Sequence, residues 1–186
     1  QQVYLHKTSR GAERVLVETL KRASELQREG NGPVHWPTGP LGALLDGKRL
    51  APMEFVALDD YEIWLTLKAW VDDPDRVLSD LARALVHRRL WKTAQLPVGE
   101  SRRADELVAS ARSIARVNGF DPERHVLVDT SGGSPYTPFT GLGSTAGAIR
   151  MISTSGHVTP IEDRSDIVRM LGQMRHRQRL LCYHPD

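Results

Sequence analysis

The stretch 91-WKTAQLPVGES-101 marks the point at which the pattern of the sequence changes. Residues 91–96 predict a short strand, which Pro97 and Gly99 end, and Ser101 can cap the helix that follows. Before this stretch, apolar residues recur at the three- and four-residue spacing of helices, whereas short strand-like runs appear after it. The sequence therefore predicts an α+β fold, with an N-terminal helical part followed by a small antiparallel sheet subdomain.

The part that precedes this stretch is predicted to hold three helices. The first covers residues 3–29, and a connector rich in glycine and proline follows it over residues 31–57. Asp59 or Asp60 can cap the second helix, and the third covers about residues 74–91. Apolar side chains mark the buried faces, at Leu5, Ala12, Leu16, Leu20 and Ala23 in the first helix, at Ile63, Leu67 and Trp70 in the second, and at Val77, Leu78, Leu81, Leu85 and Leu90 in the third.

Strands and helices follow one another in the second part in the order β-α-β-β-α-β. The strands are predicted at residues 91–96, 125–129, 149–153 and 179–183, one helix at 101–117 with Leu107, Ala111, Ile114 and Ala115 inward, and another after Ser165. This order is that of the ferredoxin-like fold, a four-stranded antiparallel sheet with two helices on one face. The alternative is an irregular α+β subdomain with fewer paired strands. We therefore expect residues 1–91 to form a helical domain and residues 92–186 an α+β, ferredoxin-like subdomain.

Composition restricts the class of protein. The chain has 186 residues, of which 40% are hydrophobic and 26% charged, as in ordinary soluble globular proteins. No apolar run reaches the roughly 18–20 residues of a membrane span, and no leader is recognisable. The single cysteine, Cys182, excludes an internal disulfide and indicates a cytoplasmic protein. The net charge of +2 gives no overall attraction to nucleic acid, so a nucleic-acid partner is not favoured.

Three familiar kinds of site are not supported by the sequence. The glycines of residues 141–147 resemble a dinucleotide-binding turn, but such a turn must open a helix, and the next segment is predicted to be a strand. The seven histidines form neither an HxxxH nor an HExxH pair, so no metal site is predicted from this chain. There is no GxSxG nucleophile motif, and Cys182 lies in an apolar strand, where a thiol is normally inert. No catalytic residue is therefore predicted.

The start of the first helix, residues 3–13, holds the strongest candidate site. His6, Arg10 and Glu13 lie on one side of the helix, at positions i, i+4 and i+7. Cations near a helix start are unfavourable for stability but well suited to phosphate oxygens. The alternative is that Arg10 pairs with Glu13 and Glu18 on a solvated face. The predicted phosphate-binding residues are Tyr4, His6, Lys7 and Arg10.

Three stretches together resemble one family. VYLHKTSRGAERVLVETLKRASEL (3–26) is similar to a helix of the HD-domain metal-dependent phosphohydrolases, which include the deoxynucleoside triphosphate triphosphohydrolases. LDDYEIWLTLKAW (58–70) and DPDRVLSDLARALVHRRLWK (73–92) resemble the helical pair that follows in that family. HVLVDTSGGSPYTPF (125–139), with IRMIST (149–154) and the elements after it, resembles its C-terminal subdomain.

The resemblance implies a function and a role for the first helix. In that family, histidines and aspartates of the HD motif bind a divalent metal, which activates water to attack a nucleotide phosphate. This sequence has no His-Asp dipeptide, so it is expected to be a C-terminal region without the metal ligands, inactive by itself. His6, Lys7 and Arg10, flanked by Tyr4, would then line the substrate pocket. A phosphate-contacting arginine of the family falls near Gln2, where this sequence departs from the pattern.

The resemblance also implies partners. The nucleotide substrate would be shared with the HD region, and the rest of this chain would be structural, regulatory or a contact in a homo-oligomer. The alternative function is a non-enzymatic α+β module that binds protein or nucleic acid. A sheet that binds RNA usually displays aromatic side chains, but the predicted strands offer only Trp91 and Tyr183, at their ends.

Overall fold

The computed structural model describes residues 6–133, 149–174 and 176–185. It divides the chain into two compact units, one made of Gln1–Asp129 and Arg179–Asp186, the other of Thr130–Gln178. This division differs from the predicted boundary between residues 91 and 92. Strands that follow that boundary contribute to the first unit, because Leu127, Leu180 and Cys182 are buried in the same apolar cluster as helical residues.

The helices of the first unit confirm the predicted helical part, and three short helices among the described residues add to the predicted set. The helices of this unit are α1 (Lys7–Arg28), α2 (Gly39–Leu45), α3 (Pro52–Val56), α4 (Asp60–Trp70), α5 (Arg76–Val86), α6 (Ser101–Val117) and α7 (Pro122–His125). The short helices α2 and α3 lie in the predicted connector. Both carry proline in their first turn, at Pro40 and Pro52, a position that suits proline although the surrounding composition indicates a loop.

Side-chain caps explain where the main helices begin. The Asp59 carboxylate accepts a hydrogen bond from the Glu62 amide at 3.0 Å, which confirms the predicted start of α4. Asp75 caps α5 in the same way, through the Leu78 amide at 2.8 Å. The predicted cap of α6 is wrong, because Glu100 occupies the cap position without a side-chain hydrogen bond and Ser101 is the first helical residue. Helix α5 ends before the predicted residue 91, and Arg88 beyond it has a positive φ of 54°.

The strands form two small sheets rather than one. In the first sheet the order is β1 (Lys92–Gln95), β5 (His176–Tyr183) and β2 (Val126–Gly133), and β1 runs antiparallel to β5. The second sheet is an antiparallel hairpin of β3 (Arg150–Ile152) and β4 (Val158–Pro160). The α+β class with small antiparallel sheets is thus confirmed.

The predicted four-stranded ferredoxin-like sheet is wrong for the described strands. The predicted strand at residues 149–153 corresponds to β3, which pairs with β4, a strand that the sequence analysis did not identify. The pairing is local, since the Ser153 amide donates to the His157 carbonyl at 2.9 Å across a turn at Gly156, whose φ is 80°. Only five residues separate β3 from β4, so their pairing closes a smaller loop than pairing with a distant strand would and costs less chain entropy.

Two apolar clusters fill the first unit. The larger one joins α1, α4, α5 and the sheet, and Trp70, Leu78 and Leu81 are completely or almost completely buried there. The smaller one lies under α6 and comprises Leu96, Ala104, Val108, Val126 and Leu181. The predicted inward face of α6 is therefore wrong in part, because Leu107 and Ile114 are 45% and 61% exposed while Ala104 and Val108 are buried.

The buried face of α1 is shifted from the predicted stripe. Ala23 is buried as predicted, Ala12, Leu16 and Leu20 are half-buried against the larger cluster, and Leu5 lies outside the described residues. The other buried positions of the helix are Gly11, Val15, Glu18, Thr19 and Leu26. Two of these are polar, so hydrophobic periodicity alone could not mark them. At Gly11 the helix lies so close to β1 that an added Cβ would be 2.8 Å from the Thr93 Cγ2 methyl. This close approach sets the position of the start of α1 against the sheet.

The second unit contains the β3–β4 hairpin, a 3-10 turn (Ile161–Asp163) and α8 (Asp166–Gln173). The Ser165 hydroxyl accepts a hydrogen bond from the Val168 amide at 3.3 Å, which confirms the predicted cap of α8. Across both units, no helix within the described residues combines the length and apolar character that a membrane crossing requires.

Candidate functional site

The start of α1 brings three of the four predicted site residues onto adjacent turns. His6 is the N-cap residue, and its Nδ1 accepts a hydrogen bond from the Thr8 amide at 3.3 Å. In the neutral ring this bond assigns the proton to Nε2, which makes Nε2 a donor on an exposed side chain. Lys7 is also exposed and makes no ion pair among the described residues. Tyr4 lies outside the described residues.

Arg10 is the anchored member of this group. Its guanidinium forms a two-point contact with Asp129, in which Nε donates to Oδ2 at 3.0 Å and Nη2 to Oδ1 at 2.7 Å. A third bond runs from Nη1 to Glu13 Oε2 at 2.8 Å. The hydrogen bonds that Arg10 donates to Asp129 raise the pKa of Arg10 above its ordinary value, although burial opposes the shift. The contact with Asp129 holds the guanidinium plane in one orientation.

The anchoring leaves part of the guanidinium available. Arginine carries five N–H donors, and the three bonds to Asp129 and Glu13 use three of them. One hydrogen on Nη1 and one on Nη2 have no partner among the described residues, on a side chain that is 21% exposed. Arg10 can therefore keep both carboxylate contacts and still donate to a phosphate oxygen.

Of the two carboxylates that bind Arg10, one was named as a possible partner from the sequence and the other was not. The pairing of Arg10 with Glu13 was open as the alternative to phosphate contact, and it is present. Glu18, the other proposed partner, instead pairs with Arg124 and Arg14. Asp129 was missed, because it lies 119 residues from Arg10 and only the sheet brings them together. The only sequence signal was a charged residue at the end of an apolar strand.

Ion pairs along α1 hold the rest of the helix in place. Arg124 donates to buried Glu18 and to Glu25, in both cases at 2.6 Å. Farther along, Arg22 makes a two-point contact with Asp75, with a shortest distance of 2.7 Å. Burial alone would raise the pKa of Asp75, but the hydrogen bonds from Arg22 and from the Leu78 amide outweigh it and lower that pKa. These contacts tie α1 to α7 and to the start of α5.

Cys182, the single cysteine of the chain, is not placed for nucleophilic attack. Cys182 is completely buried, and burial followed by the charge of Asp129 raises its thiol pKa to about 11. The thiol is therefore protonated at neutral pH. No cluster of three or more histidine, cysteine, aspartate or glutamate side chains suited to a metal ion occurs among residues 6–133, 149–174 and 176–185. The glycine-rich loop at residues 141–147 lies outside the described residues.

Comparisons with known proteins found one curated relative and one solved structure that each match nearly the whole chain. No family model matches the chain. The chain is 30% identical over 190 residues to the uncharacterized protein YwfO of Bacillus subtilis, and the match covers 100% of this chain and 42% of YwfO. It also resembles the crystal structure of a phosphohydrolase from Bacteroides thetaiotaomicron, with 29% identity, a TM-score of 0.70, and coverage of 98% of this chain and 46% of that one.

These two similarities bear on the fold of the chain. The chain has a phosphohydrolase-related fold, and it spans less than half the length of both proteins. The HD class, the nucleotide substrate, the metal and the roles of His6, Lys7 and Arg10 stay predictions.

Proposed function

We propose that this chain is the C-terminal region of an HD-type, metal-dependent phosphohydrolase that acts on nucleotide phosphates. In this proposal the start of α1 forms one wall of the substrate pocket, and the rest of the chain supports it and contributes to regulation or to a homo-oligomer. The observation that carries the proposal is Arg10, which Asp129 orients while two of its N–H donors remain available beside Lys7 and His6. The likeness to a phosphohydrolase supports it.

The residues described here do not fit a divalent metal. The buried carboxylate nearest to the candidate residues is that of Asp129, and both of its oxygens accept hydrogen bonds from Arg10. An ion on Asp129 would have to displace a guanidinium that is charged at all ordinary pH values. We therefore assign no metal ligand to these residues and expect the ligands in the HD region of the complete enzyme.

The proposed role of α1 is to bind and position phosphate. Arg10 would donate to phosphate oxygens from a fixed plane, whereas Lys7 would act as a mobile point charge. His6 would add a neutral donor through Nε2, and the amide groups at the helix start would add a positive electrostatic potential. Each charge-assisted hydrogen bond of this kind contributes about 1.5–3 kcal/mol. None of these residues has to transfer a proton for this role.

The first test is hydrolysis. The 186-residue chain is purified and assayed with manganese against deoxynucleoside triphosphates, nucleoside triphosphates and phosphodiesters. We expect no turnover, because the ligands of the metal would be absent. Robust turnover that copurifies with the chain would overturn the proposal.

The second test is triphosphate binding by the same chain at low ionic strength, measured by calorimetry. We expect Lys7→Gln to weaken binding roughly tenfold, the equivalent of one charge-assisted contact. Lys7 is exposed and unpaired among the described residues, so its loss should not unfold the chain. Lys21→Gln is the matched control, because Lys21 is an exposed lysine farther along the same helix. Equal losses in both variants would mean unspecific charge attraction and would contradict a site at the start of α1.

A further inference from the structure

Two adjoining cavities of the first unit lie outside the site described above. The larger is an open groove of about 430 Å³ beside α6, within the size range of small-molecule sites. Aliphatic side chains form most of its wall, among them Ala94, Leu107, Ala111, Ile114, Val126 and Leu181. The exposure of Leu107 and Ile114 is thereby explained, because this face of α6 lines a groove instead of the core.

The smaller cavity, of about 250 Å³, is rich in arginine. Arg76, Arg83 and Arg89 line it together with Asp80. Phe120, His184 and Pro185 line both cavities, so the aliphatic groove and the arginine-lined cavity share one wall.

The charges of the smaller cavity do not balance. Arg76 lies 3.7 Å from Asp80, and Arg83 pairs with the exposed Asp72 at 2.9 Å. Arg89 is exposed and has no ion pair among the described residues. Three arginines and one aspartate thus line the cavity, which gives its lining an excess of positive charge.

The border between the cavities is aromatic and contains an unsatisfied buried polar atom. His125 is 2% exposed, and its ring packs against Trp91 and Phe120 with centroid distances of 5.8 and 5.1 Å. Its Nδ1 lies 3.1 Å from the Asp121 carbonyl, which assigns the proton of the neutral ring to that nitrogen. Nε2 is then an acceptor for which the described residues supply no hydrogen-bond partner, 3.7 Å from Asp80 Oδ2. A buried acceptor left unpaired in this way is uncommon in proteins.

We infer that the two cavities together bind an amphipathic anion, with an aliphatic body in the groove beside α6 and a phosphate or carboxylate head on Arg76, Arg83 and Arg89. Covering the aliphatic wall of the groove removes apolar surface from water, which favours binding, and a negative head offsets the excess positive charge. A neutral apolar molecule would leave the excess positive charge of the smaller cavity unbalanced, and inorganic phosphate would leave the groove exposed to water. This inference does not depend on the proposed hydrolase function, because none of its residues belongs to the start of α1.

The test is calorimetric titration of the 186-residue chain with ten-carbon probes below their micelle concentration. Decyl phosphate and decanoate carry the two candidate heads, a decyl glucoside carries a neutral head, and inorganic phosphate lacks the tail. We expect one molar equivalent of decyl phosphate or decanoate to bind, at least tenfold more tightly than the glucoside or inorganic phosphate. Tighter binding of either charged probe identifies the head and supports the inference. Equal affinity of the glucoside would overturn it.

Matched substitutions locate the binding. Ile114→Gln should weaken the charged probe roughly tenfold through lost apolar contact, whereas Val117→Gln, on the same helix but 83% exposed and outside the groove, should not. Arg89→Gln should weaken binding of the charged probe several-fold. Arg102→Gln, which changes an exposed arginine of α6 that lines neither cavity, should not.

If the controls lose as much affinity as the test variants, the probes bind unspecifically and the inference is wrong. Lys7→Gln should leave probe binding unchanged, which separates this result from the outcome of the triphosphate test.

Discussion

The pairing of Arg10 with Asp129 leads to the most quantitative prediction, the effect of Asp129→Asn on stability. The two side chains are 21% and 9% exposed, and two hydrogen bonds of 2.7 and 3.0 Å join them. In the variant the amide oxygen can still accept one bond, but the amide NH₂ faces the other donor. The variant therefore loses one charge-assisted bond, about 1.5–3 kcal/mol.

The expected loss of unfolding free energy lies near the middle of this range of about 1.5–3 kcal/mol. Removing one partner of a fully buried pair costs about 3–5 kcal/mol. Arg10 keeps its bond to Glu13 and some contact with water, so its charge is not left without compensation. We expect a loss of about 2 kcal/mol in the free energy of unfolding, or roughly 4–8 °C in melting temperature for a chain of this length.

The assay is urea unfolding, with Asp105→Asn as the matched control. Asp105 pairs with Arg179 at 3.1 Å, but its side chain is 66% exposed, and such surface pairs contribute at most about 1 kcal/mol. A double-mutant cycle with Arg10→Gln then isolates the interaction and should give a coupling of about 1–2 kcal/mol. A loss no larger than that of the control, or a coupling near zero, would refute the view that Asp129 anchors Arg10.

Three further predictions follow from contacts of the first unit. Gly11→Ala should destabilise the protein by about 1–2 kcal/mol despite the better helix propensity of alanine, because the added Cβ clashes with the Thr93 methyl. Adding Thr93→Ser, which removes that methyl, should recover most of the lost stability, as measured by thermal melting. Because the pKa of Asp75 is lowered in the folded state, its stabilising contribution is present above the ordinary aspartate pKa and is lost as the pH falls through the folded value. The difference in unfolding free energy between the wild type and Asp75→Asn, measured with urea, should therefore shrink below about pH 4. A difference that grew in acid would contradict this. Cys182 should resist iodoacetamide at pH 7.5 in the folded protein and react in urea, as followed by mass spectrometry, and rapid labelling of the native chain would contradict its burial.

Helix starts could be predicted because their causes are local. The carboxylate of Asp59 and the hydroxyl of Ser165 each accept a hydrogen bond from an amide three residues ahead, so the pattern and the contact lie within a few residues. The prediction failed where a cap was assumed without such a bond, at Ser101. The α+β class was predictable for a similar reason, because the change of period near residue 91 is visible within a short window.

Contacts between distant residues were not predictable in the same way. Asp129 reaches Arg10 only through the order of the strands in the sheet, and that order was predicted wrongly. Glu18 was taken for a surface residue, because nothing near it in sequence reveals that Arg124 covers it. The face of α6 was misjudged because Leu107 and Ile114 are more apolar than Ala104, and the core beneath the helix favours the smaller side chain.

The two ion pairs of Arg124 also bear on how the protein opens. Helix α7 has only four residues, too few to persist without tertiary contacts. Arg124 bonds both Glu18 and Glu25, which lie two turns apart on α1, so any opening of α7 would leave the buried Glu18 with only the longer contact to Arg14. Opening α7 alone is therefore costly, and its amide hydrogens should exchange with deuterated solvent in step with those of α1. Short helices without such a link, such as α3, whose residues are all exposed, should exchange much earlier.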